Sequence, residues 1–180
     1  MYGMVNKAIE DMVVSAHGEE VWEQIKQKAS VDVDVFVSSE GYPDQMTYAL
    51  VGVASEVLGV PAEKVLEAFG EHWILKTALQ GYGDMMAAGG KTLREFLINL
   101  PDFHSRVSMI LPHLAPPKFF CSEAGEREVR MQYESHRAGL APFVVGLFLG
   151  LGKMFGTPVI VEQVAYKNAG AERDEFLIRW

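Results

Sequence analysis

The chain has 180 residues, of which 49% are hydrophobic and 11% aromatic, so it can form one globular domain whose core could enclose a cofactor. A net charge of −8 and a pI near 5.1 argue against nucleic acid or an anionic membrane as a partner, because either requires a basic surface. The single cysteine, Cys121, permits no internal disulfide, and the longest uncharged run, residues 138–152, is too short to span a bilayer. We therefore expect a cytoplasmic protein.

The first two-thirds of the chain are predicted to be helical. Apolar residues recur at helical spacing in four segments, residues 5–13, 21–25, 46–57 and 65–74. Residues 30–43 alternate Val with Asp and end in Gly-Tyr-Pro, so they are predicted to connect the second helix to the third.

Capping residues predict where several of these helices begin and end. Asp44 can cap the third helix and Gly59 can end it, while Pro61 can open the fourth. Four glycines between residues 81 and 90 bracket a short helix, and Thr92 can cap the next one.

The pattern changes after Pro116-Pro117. The rest of the chain is predicted to form β-β-α-β-β, at residues 118–122, 128–137, 139–155, 157–166 and 172–180. The expected fold class is α+β, with a helical N-terminal part packed on a C-terminal part that carries a four-stranded antiparallel sheet.

Tyr133, Ser135 and Arg137 form a row of hydrogen-bond donors in the second predicted strand. Alternate residues of an extended segment point to the same side, so the three side chains should share one face. Polar alternation often marks only a solvated strand face. Here Val129 and Met131 lie upstream on the same face, which favours a half-buried pocket. The guanidinium can bind a carboxylate through two parallel hydrogen bonds, so the row suits a small ligand with carboxylates.

His104 lies in the apolar stripe of a predicted helix. Leu97, Leu100, His104, Val107 and Leu111 are spaced by three, four, three and four residues, which places them on one helix face. On its own this pattern favours a core histidine bonded to a backbone carbonyl, because a buried imidazole needs a partner. Together with the donor row it indicates haem, whose propionates need donors and whose iron needs an axial nitrogen.

Other motifs have simpler interpretations. Gly146 and Gly150 lie four residues apart in a predicted helix and favour close packing of two backbones. The remaining histidines are interpreted as surface or capping residues, at positions 17, 72, 113 and 136.

With these motifs in place, the chain resembles the H-NOX family, the haem nitric oxide/oxygen-binding domains related to the haem domain of soluble guanylate cyclase. The resemblance runs from Met1 to Trp180 and suggests the bacterial stand-alone type. It implies one domain over residues 1–180, with a helical subdomain at about 1–60 and a haem-ligating, sheet-bearing subdomain at about 61–180. The residues that carry the resemblance are Met1–Asn6, Ala68–Gly70, His104, Pro116-Pro117 and Tyr133-x-Ser135-x-Arg137.

The resemblance also implies a cofactor and its ligands. The cofactor would be haem b (iron protoporphyrin IX), buried between the two parts of the domain. His104 would be the proximal iron ligand, Tyr133, Ser135 and Arg137 would hold the propionates, and Pro117 would press on the macrocycle and help keep it out of plane.

The distal side of such a haem decides which gas binds. Oxygen-binding H-NOX members resemble one another in a Tyr five residues after the motif Arg, whereas this chain has Pro142 there. By position, the resemblance suggests a mostly apolar distal lining of Val5, Ile9, Trp73 and Phe143. Dioxygen gains most from a distal donor, whereas nitric oxide binds ferrous haem without one. We therefore expect a nitric oxide sensor that excludes dioxygen, with carbon monoxide as a laboratory ligand.

One route could supply the missing hydroxyl group. Another tyrosine, such as Tyr2 or Tyr48, could enter the distal pocket. Trp73 also carries an indole N–H, a second group that could donate to a bound gas.

The resemblance implies that the domain works as a switch. Nitric oxide bound opposite His104 would weaken the iron–histidine bond, and the helix that carries His104 would shift. The chain ends on a predicted strand and contains no effector of its own, so we expect a separate partner protein. The family suggests a sensor histidine kinase or a cyclic-di-GMP enzyme.

Two other functions stay open. A haem enzyme that acts on peroxide or nitric oxide would need distal acid–base groups, and the inferred lining is short of them. A module that binds some other apolar carboxylate would use no haem, and His104 would then be structural.

Overall fold

A computed structural model describes residues 1–110 and 116–180. Within these residues, helices dominate the first part, at α1 Gly3–His17, α2 Glu19–Lys28, α3 Asp44–Leu58, α4 Ala62–His72, α5 Leu79–Gly89 and α6 Leu93–Ile110. The second part contains β1 Lys118–Ala124, β2 Glu128–Glu134, α7 Ala141–Met154, β3 Ile160–Ala165 and β4 Asp174–Arg179. None of the helices in the described ranges is long and apolar enough to cross a membrane.

The four strands form one antiparallel sheet in the order β1-β2-β4-β3. In the β1–β2 pair, Phe119 lies opposite Tyr133. Val129 and Met131, both in β2, are fully buried, which agrees with the prediction that one face of this strand is covered. The α+β prediction is confirmed.

Local signals placed several helix ends correctly. Gly59 has a φ of +65°, the left-handed conformation that ends α3. Pro61 immediately precedes α4. Before α6, the Thr92 hydroxyl accepts a hydrogen bond from the Glu95 amide at 3.2 Å.

The apolar side chains form two cores, one on each side of α4. The first lies among α1 to α4 and includes Trp22, Leu50 and Phe69; the second lies between α5–α7 and the sheet. The predicted boundary near residue 60 stays a prediction, although the first core extends to Phe69. Trp73 packs against both cores and so lies at their junction.

Helices α4 and α7 touch through their backbones. A Cβ added at Gly146 would lie 2.0 Å from the Glu67 carbonyl oxygen, and one at Gly70 would lie 2.2 Å from the Phe143 carbonyl oxygen. Gly150 faces the Cβ of Ile74 at 2.9 Å. The predicted close packing of this glycine pair is confirmed.

Two features of the backbone were not predicted. Between α4 and α5, residues Trp73–Ala78 form a π-helix, a rare element that often occurs at functional sites. Within α5, Tyr82 departs from helical geometry with φ −140° and ψ 24°. The run is kinked at Tyr82, and both irregularities lie beside the cavity described below.

The second strand is shorter than predicted. It ends at Glu134, and Ser135–Arg137 form a turn in which the Ser135 hydroxyl accepts a hydrogen bond from the Arg137 amide at 3.0 Å. Strand alternation therefore does not explain the donor row beyond Tyr133. The side-chain hydrogen bond to the backbone competes with strand pairing and turns the chain.

Candidate functional site

A cavity lies between the helices and the sheet. Its volume is about 220 Å³. Its walls come from α1, α3, α4, the π-helix, α5, α6, β1, β2 and α7. Among the helices and strands named above, α2, β3 and β4 contribute no wall residue.

The predicted donor row lines one end of this cavity. Tyr133, Ser135 and Arg137 are all wall residues, although two of them lie in a turn rather than in a strand. Burial raises the pKa of the Tyr133 phenol, although its hydrogen bond with Ser135 acts in the opposite direction. The phenol therefore stays protonated at neutral pH and can donate a hydrogen bond.

Arg137 also connects this end of the cavity to α3. Its Nε donates to Oδ2 of Asp44 at 2.8 Å, and the Met1 amine pairs with the other oxygen of the same carboxylate. Burial alone would raise the pKa of Asp44, but the hydrogen bonds from Met1 and Arg137 outweigh it and lower the pKa. A guanidinium carries five N–H donors in a planar fork, a geometry that matches the two oxygens of a carboxylate.

Tyr48 lies one helical turn after Asp44 in α3 and contacts the residue that follows Arg137. Its hydroxyl donates to the Ala138 carbonyl at 3.0 Å. Asp44 and Tyr48 lie four residues apart on one face of α3 and form hydrogen bonds with residues 137 and 138, respectively. No sequence signal identified this contact, because the partners lie about ninety residues apart.

His104 lies in the cavity wall, on α6. Its Nδ1 lies 3.2 Å from the Leu100 carbonyl, one turn earlier in the helix. Nε2 has no hydrogen-bond partner among the described residues. Burial lowers the pKa of His104 to about 4, and the Leu100 contact only partly opposes this. The imidazole is therefore neutral at pH 7, and with the proton on Nδ1 it presents a lone pair on Nε2.

The predicted stripe around His104 is largely present. Leu100 and Val107 line the cavity with His104, and Leu97 is fully buried behind them. Leu111, the last residue of the stripe, lies outside the described residues. Both sequence interpretations of His104 thus have support, because one ring nitrogen is bonded to a carbonyl while the ring faces a cavity.

Three of the four residues predicted for an apolar lining are wall residues. Val5, Trp73 and Phe143 line the cavity, and Phe69 joins them. The Phe69 ring centroid lies 4.9 Å from that of Phe143 and 6.0 Å from that of Trp73, the usual range for packed aromatic pairs. This aromatic group forms the wall where α4 and α7 cross.

Ile9 departs from this expectation. Its exposure is 0%, and it belongs to the first core, with Trp22 and Leu50, rather than to the cavity wall. It shares a helix face with Val5 but lies about 6 Å further along the axis, which carries it past the cavity. Pro117, by contrast, is a wall residue, and its contact with a macrocycle stays a prediction.

Tyrosines other than Tyr133 also reach the cavity. Tyr2 and Tyr48 are wall residues, and so is Tyr82, which the sequence did not single out. The Tyr48 hydroxyl is bonded to the Ala138 carbonyl. The hydroxyls of Tyr2 and Tyr82 have no hydrogen bond within the described parts of the chain. The cavity is therefore less purely apolar than the predicted lining.

The other histidines lie away from this cavity. His17 and His136 are exposed, as predicted, and His113 lies outside the described residues. His72 is half-buried rather than on the surface, and its Nε2 is buried without a partner in the described structure. Burial lowers the pKa of His72.

The donors fit a flat apolar molecule with carboxylates and a metal at its centre. One end of the cavity carries a phenol, a hydroxyl and a guanidinium, which suit carboxylates. One wall carries the neutral imidazole of His104. Its Nδ1 is oriented by the Leu100 carbonyl and its Nε2 can bind a metal, the arrangement typical of a histidine ligand. Aromatic and aliphatic side chains fill the remaining wall. These are the groups that a haem requires.

A family model described as Haem-NO-binding matches residues 2–163 of the chain. Among curated proteins, the chain is similar to soluble guanylate cyclase gcy-37 of Caenorhabditis elegans, with 31% identity over 150 residues that cover 82% of this chain and 21% of that protein. It is similar to soluble guanylate cyclase gcy-31 of the same organism, with 23% identity over 163 residues, or 90% of this chain and 23% of that protein. The chain thus spans less than a quarter of the length of these relatives.

Solved structures share the whole fold. The chain is similar to an H-NOX protein from S. oneidensis in the Fe(II)NO ligation state, with a TM-score of 0.88 and 22% identity over 99% of this chain and 98% of that one. It is also similar to a mutant H-NOX protein from K. algicida in the unliganded Fe(II) state, with a TM-score of 0.84 and 23% identity over 99% and 96% of the two chains. At these identities the likeness concerns the fold.

Proposed function

Because the chain belongs to the haem-NO-binding (H-NOX) family, we propose that it is a haem-based sensor domain for nitric oxide that excludes dioxygen and catalyses no reaction of its own. The observation that carries this proposal is the convergence of His104 with Tyr133, Ser135 and Arg137 on one cavity. These residues come from α6, β2 and the turn that follows β2. Only the fold brings them together.

Each residue has a role that its surroundings support. His104 would hold the iron of haem b through Nε2, because its Nδ1 is engaged by the Leu100 carbonyl. Tyr133, Ser135 and Arg137 would bind the propionates. Pro117 would press on the macrocycle from the cavity wall.

The gas preference follows from the wall groups. When bound, ferrous haem supplies an iron centre with affinity for nitric oxide and carbon monoxide. Val5, Trp73 and Phe143 would line the distal side, and none of them has a hydroxyl. The hydroxyls of Tyr2 and Tyr82 also belong to the cavity wall, so the proposed exclusion of dioxygen requires that neither of them, nor the Trp73 indole, donates to a gas bound at the iron. Pro142, in the first turn of α7, is not a wall residue and cannot donate a hydrogen bond.

The signal would leave the site through α6. His104, which would hold the iron, belongs to α6, so a change in its bond to the metal would act on that helix. Helix α6 packs against β1, so its movement would change the contact between these two elements and the surface around them. Such a change is allosteric if the gas and a partner protein each favour one of the two states. We propose a cytoplasmic partner, either a sensor histidine kinase or a cyclic-di-GMP enzyme.

Absorption spectra of the reduced protein test the proposal. We expect a five-coordinate ferrous haem under nitrogen, no stable complex in air, and a new spectrum with nitric oxide. His104→Gly should lose the axial ligand and regain it with added imidazole, whereas His17→Gly, at an exposed site, should match the parent.

Other spectra would indicate another function. A colourless protein purified with a haem supply would refute the proposal and favour a module for other apolar carboxylates. Turnover of peroxide or nitric oxide above the rate of free haem would instead identify a haem enzyme.

A further inference from the structure

We propose that Phe119 is a positioning residue that sets the orientation of the His104 imidazole and ties it to Tyr133. The inference rests on the proposed function, in which His104 holds a haem iron. It assigns a part in the site to β1, the strand that follows Pro117.

Phe119 packs directly against the imidazole. The two ring centroids lie 4.8 Å apart with the planes tilted by 51°. Phe103 contacts the same imidazole from a centroid distance of 5.6 Å with a tilt of 71°. The hydrogen bond to Leu100 fixes one edge of the imidazole, but the outer torsion of a histidine is intrinsically broad. The neighbouring phenyl rings therefore decide the plane of the ring.

Phe119 is itself held by two further rings, one from β2 and one from α7. It is 3% exposed, and its centroid lies 5.3 Å from that of Tyr133, its partner across the β1–β2 pair. Phe148 of α7 packs edge-on against it at 6.1 Å. A ring enclosed in this way can move only if β1, β2 or α7 moves with it. Phe119 thus connects the imidazole to the sheet and to the Tyr133 phenol.

The next residue in β1 provides a matched control. Phe120 points to the opposite face of the sheet, where it is 37% exposed and lies under the Arg173 guanidinium at 4.6 Å. The same substitution at positions 119 and 120 therefore removes the same ring from the same strand. Only the change at Phe119 removes a contact with His104.

Release of His104 depends on this contact. If the imidazole left its ligand position, it would have to rotate or withdraw against the Phe119 ring. Smaller, non-aromatic side chains at position 119 would leave the imidazole with more orientations, so its bond to iron would be less uniform and its release faster.

The test compares Phe119→Leu with Phe120→Leu in the haem-loaded protein. Resonance Raman spectroscopy of the reduced form should show a shifted and broadened iron–histidine stretching band for Phe119→Leu and the parent band for Phe120→Leu. Stopped-flow mixing with nitric oxide should show loss of the histidine ligand about two- to tenfold faster in Phe119→Leu, the range expected for one aromatic pair.

The outcomes separate this inference from the proposed function. A parent-like band and rate in Phe119→Leu would overturn the role of Phe119, even though the parent binds haem through His104. Absence of haem from the parent protein would overturn both proposals. If Phe119→Leu does not fold, Phe119→Met supplies a flexible, unbranched side chain that can fill the space without a ring, and the same two measurements decide.

Discussion

Because α4 and α7 touch through their backbones, we predict that a larger residue at position 146 destabilises the protein. Gly146→Ala would place a Cβ 2.0 Å from the Glu67 carbonyl oxygen, about 1 Å closer than real Cβ contacts come. The obstacle is backbone, so the two helices must separate. Such overpacking costs about 1–3 kcal/mol, against a gain of about 1 kcal/mol from replacing a helical glycine with alanine. We expect a net loss of up to about 2 kcal/mol.

Gly52→Ala is the matched control. Gly52 lies in the middle of α3, and an added Cβ there meets no other atom within 4 Å. The same substitution should therefore stabilise the protein by up to about 1 kcal/mol.

Chemical and thermal denaturation would measure both variants. For a chain of this length, about 1 kcal/mol corresponds to about 2–4 °C in Tm. Gly146→Ala should melt below the parent and Gly52→Ala at or above it. Since α4 and α7 also bring Phe69 and Phe143 together at the cavity, Gly146→Ala alone should shift the haem absorption. Equal melting temperatures for the two variants would refute the close approach of these helices.

Three further predictions concern single polar contacts. Tyr48→Phe removes the hydrogen bond to Ala138 and should speed haem loss to apomyoglobin about fivefold, the effect of roughly 1 kcal/mol; an unchanged rate would show that this bond does not hold the turn. The lowered pKa of Asp44 means that its charge stabilises the fold above about pH 4, the ordinary value for aspartate, and that this stability is lost at lower pH. The urea midpoint of Asp44→Asn should therefore be lower than that of the parent at pH 6 and close to it at pH 3. An equal difference between the two midpoints at both pH values would contradict the Arg137 pairing. The lowered pKa of His72 means that the unfolded chain takes up a proton first, so the protein should lose stability as pH falls through about 6.5. Urea midpoints at pH 7.5 and 5.5 should fall less in His72→Gln than in the parent.

Local chemistry explains which elements could be predicted. Thr92, Gly59 and Pro61 mark helix ends because capping depends on a few neighbouring residues and their backbone angles. The strand pairs on either side of α7 follow from alternating side chains and turn residues within short windows. Gly146 indicated close packing because only a missing side chain lets two helix backbones touch.

Distant contacts explain what the sequence did not predict. The π-helix at Trp73–Ala78 and the bend at Tyr82 arise in a run whose residues have ordinary helix signals. The Asp44 contact to Arg137 joins residues 93 positions apart, and no local pattern connects them. Ile9 illustrates the same limit, because its helix face was predicted but its depth along the axis was not.

The sequence alone determined the chemical inventory of this protein: an imidazole within an apolar stripe, a Tyr-x-Ser-x-Arg donor row, and a helical part followed by β-β-α-β-β. These are properties of spacing, which the chain carries whether or not it is folded. Only the tertiary structure decided that the donors and His104 share one cavity, that Ser135 and Arg137 lie in a turn, and that Phe119 stands between the imidazole and Tyr133. Those relations depend on how α6 packs against the sheet, and such packing is set by the shapes of many side chains at once.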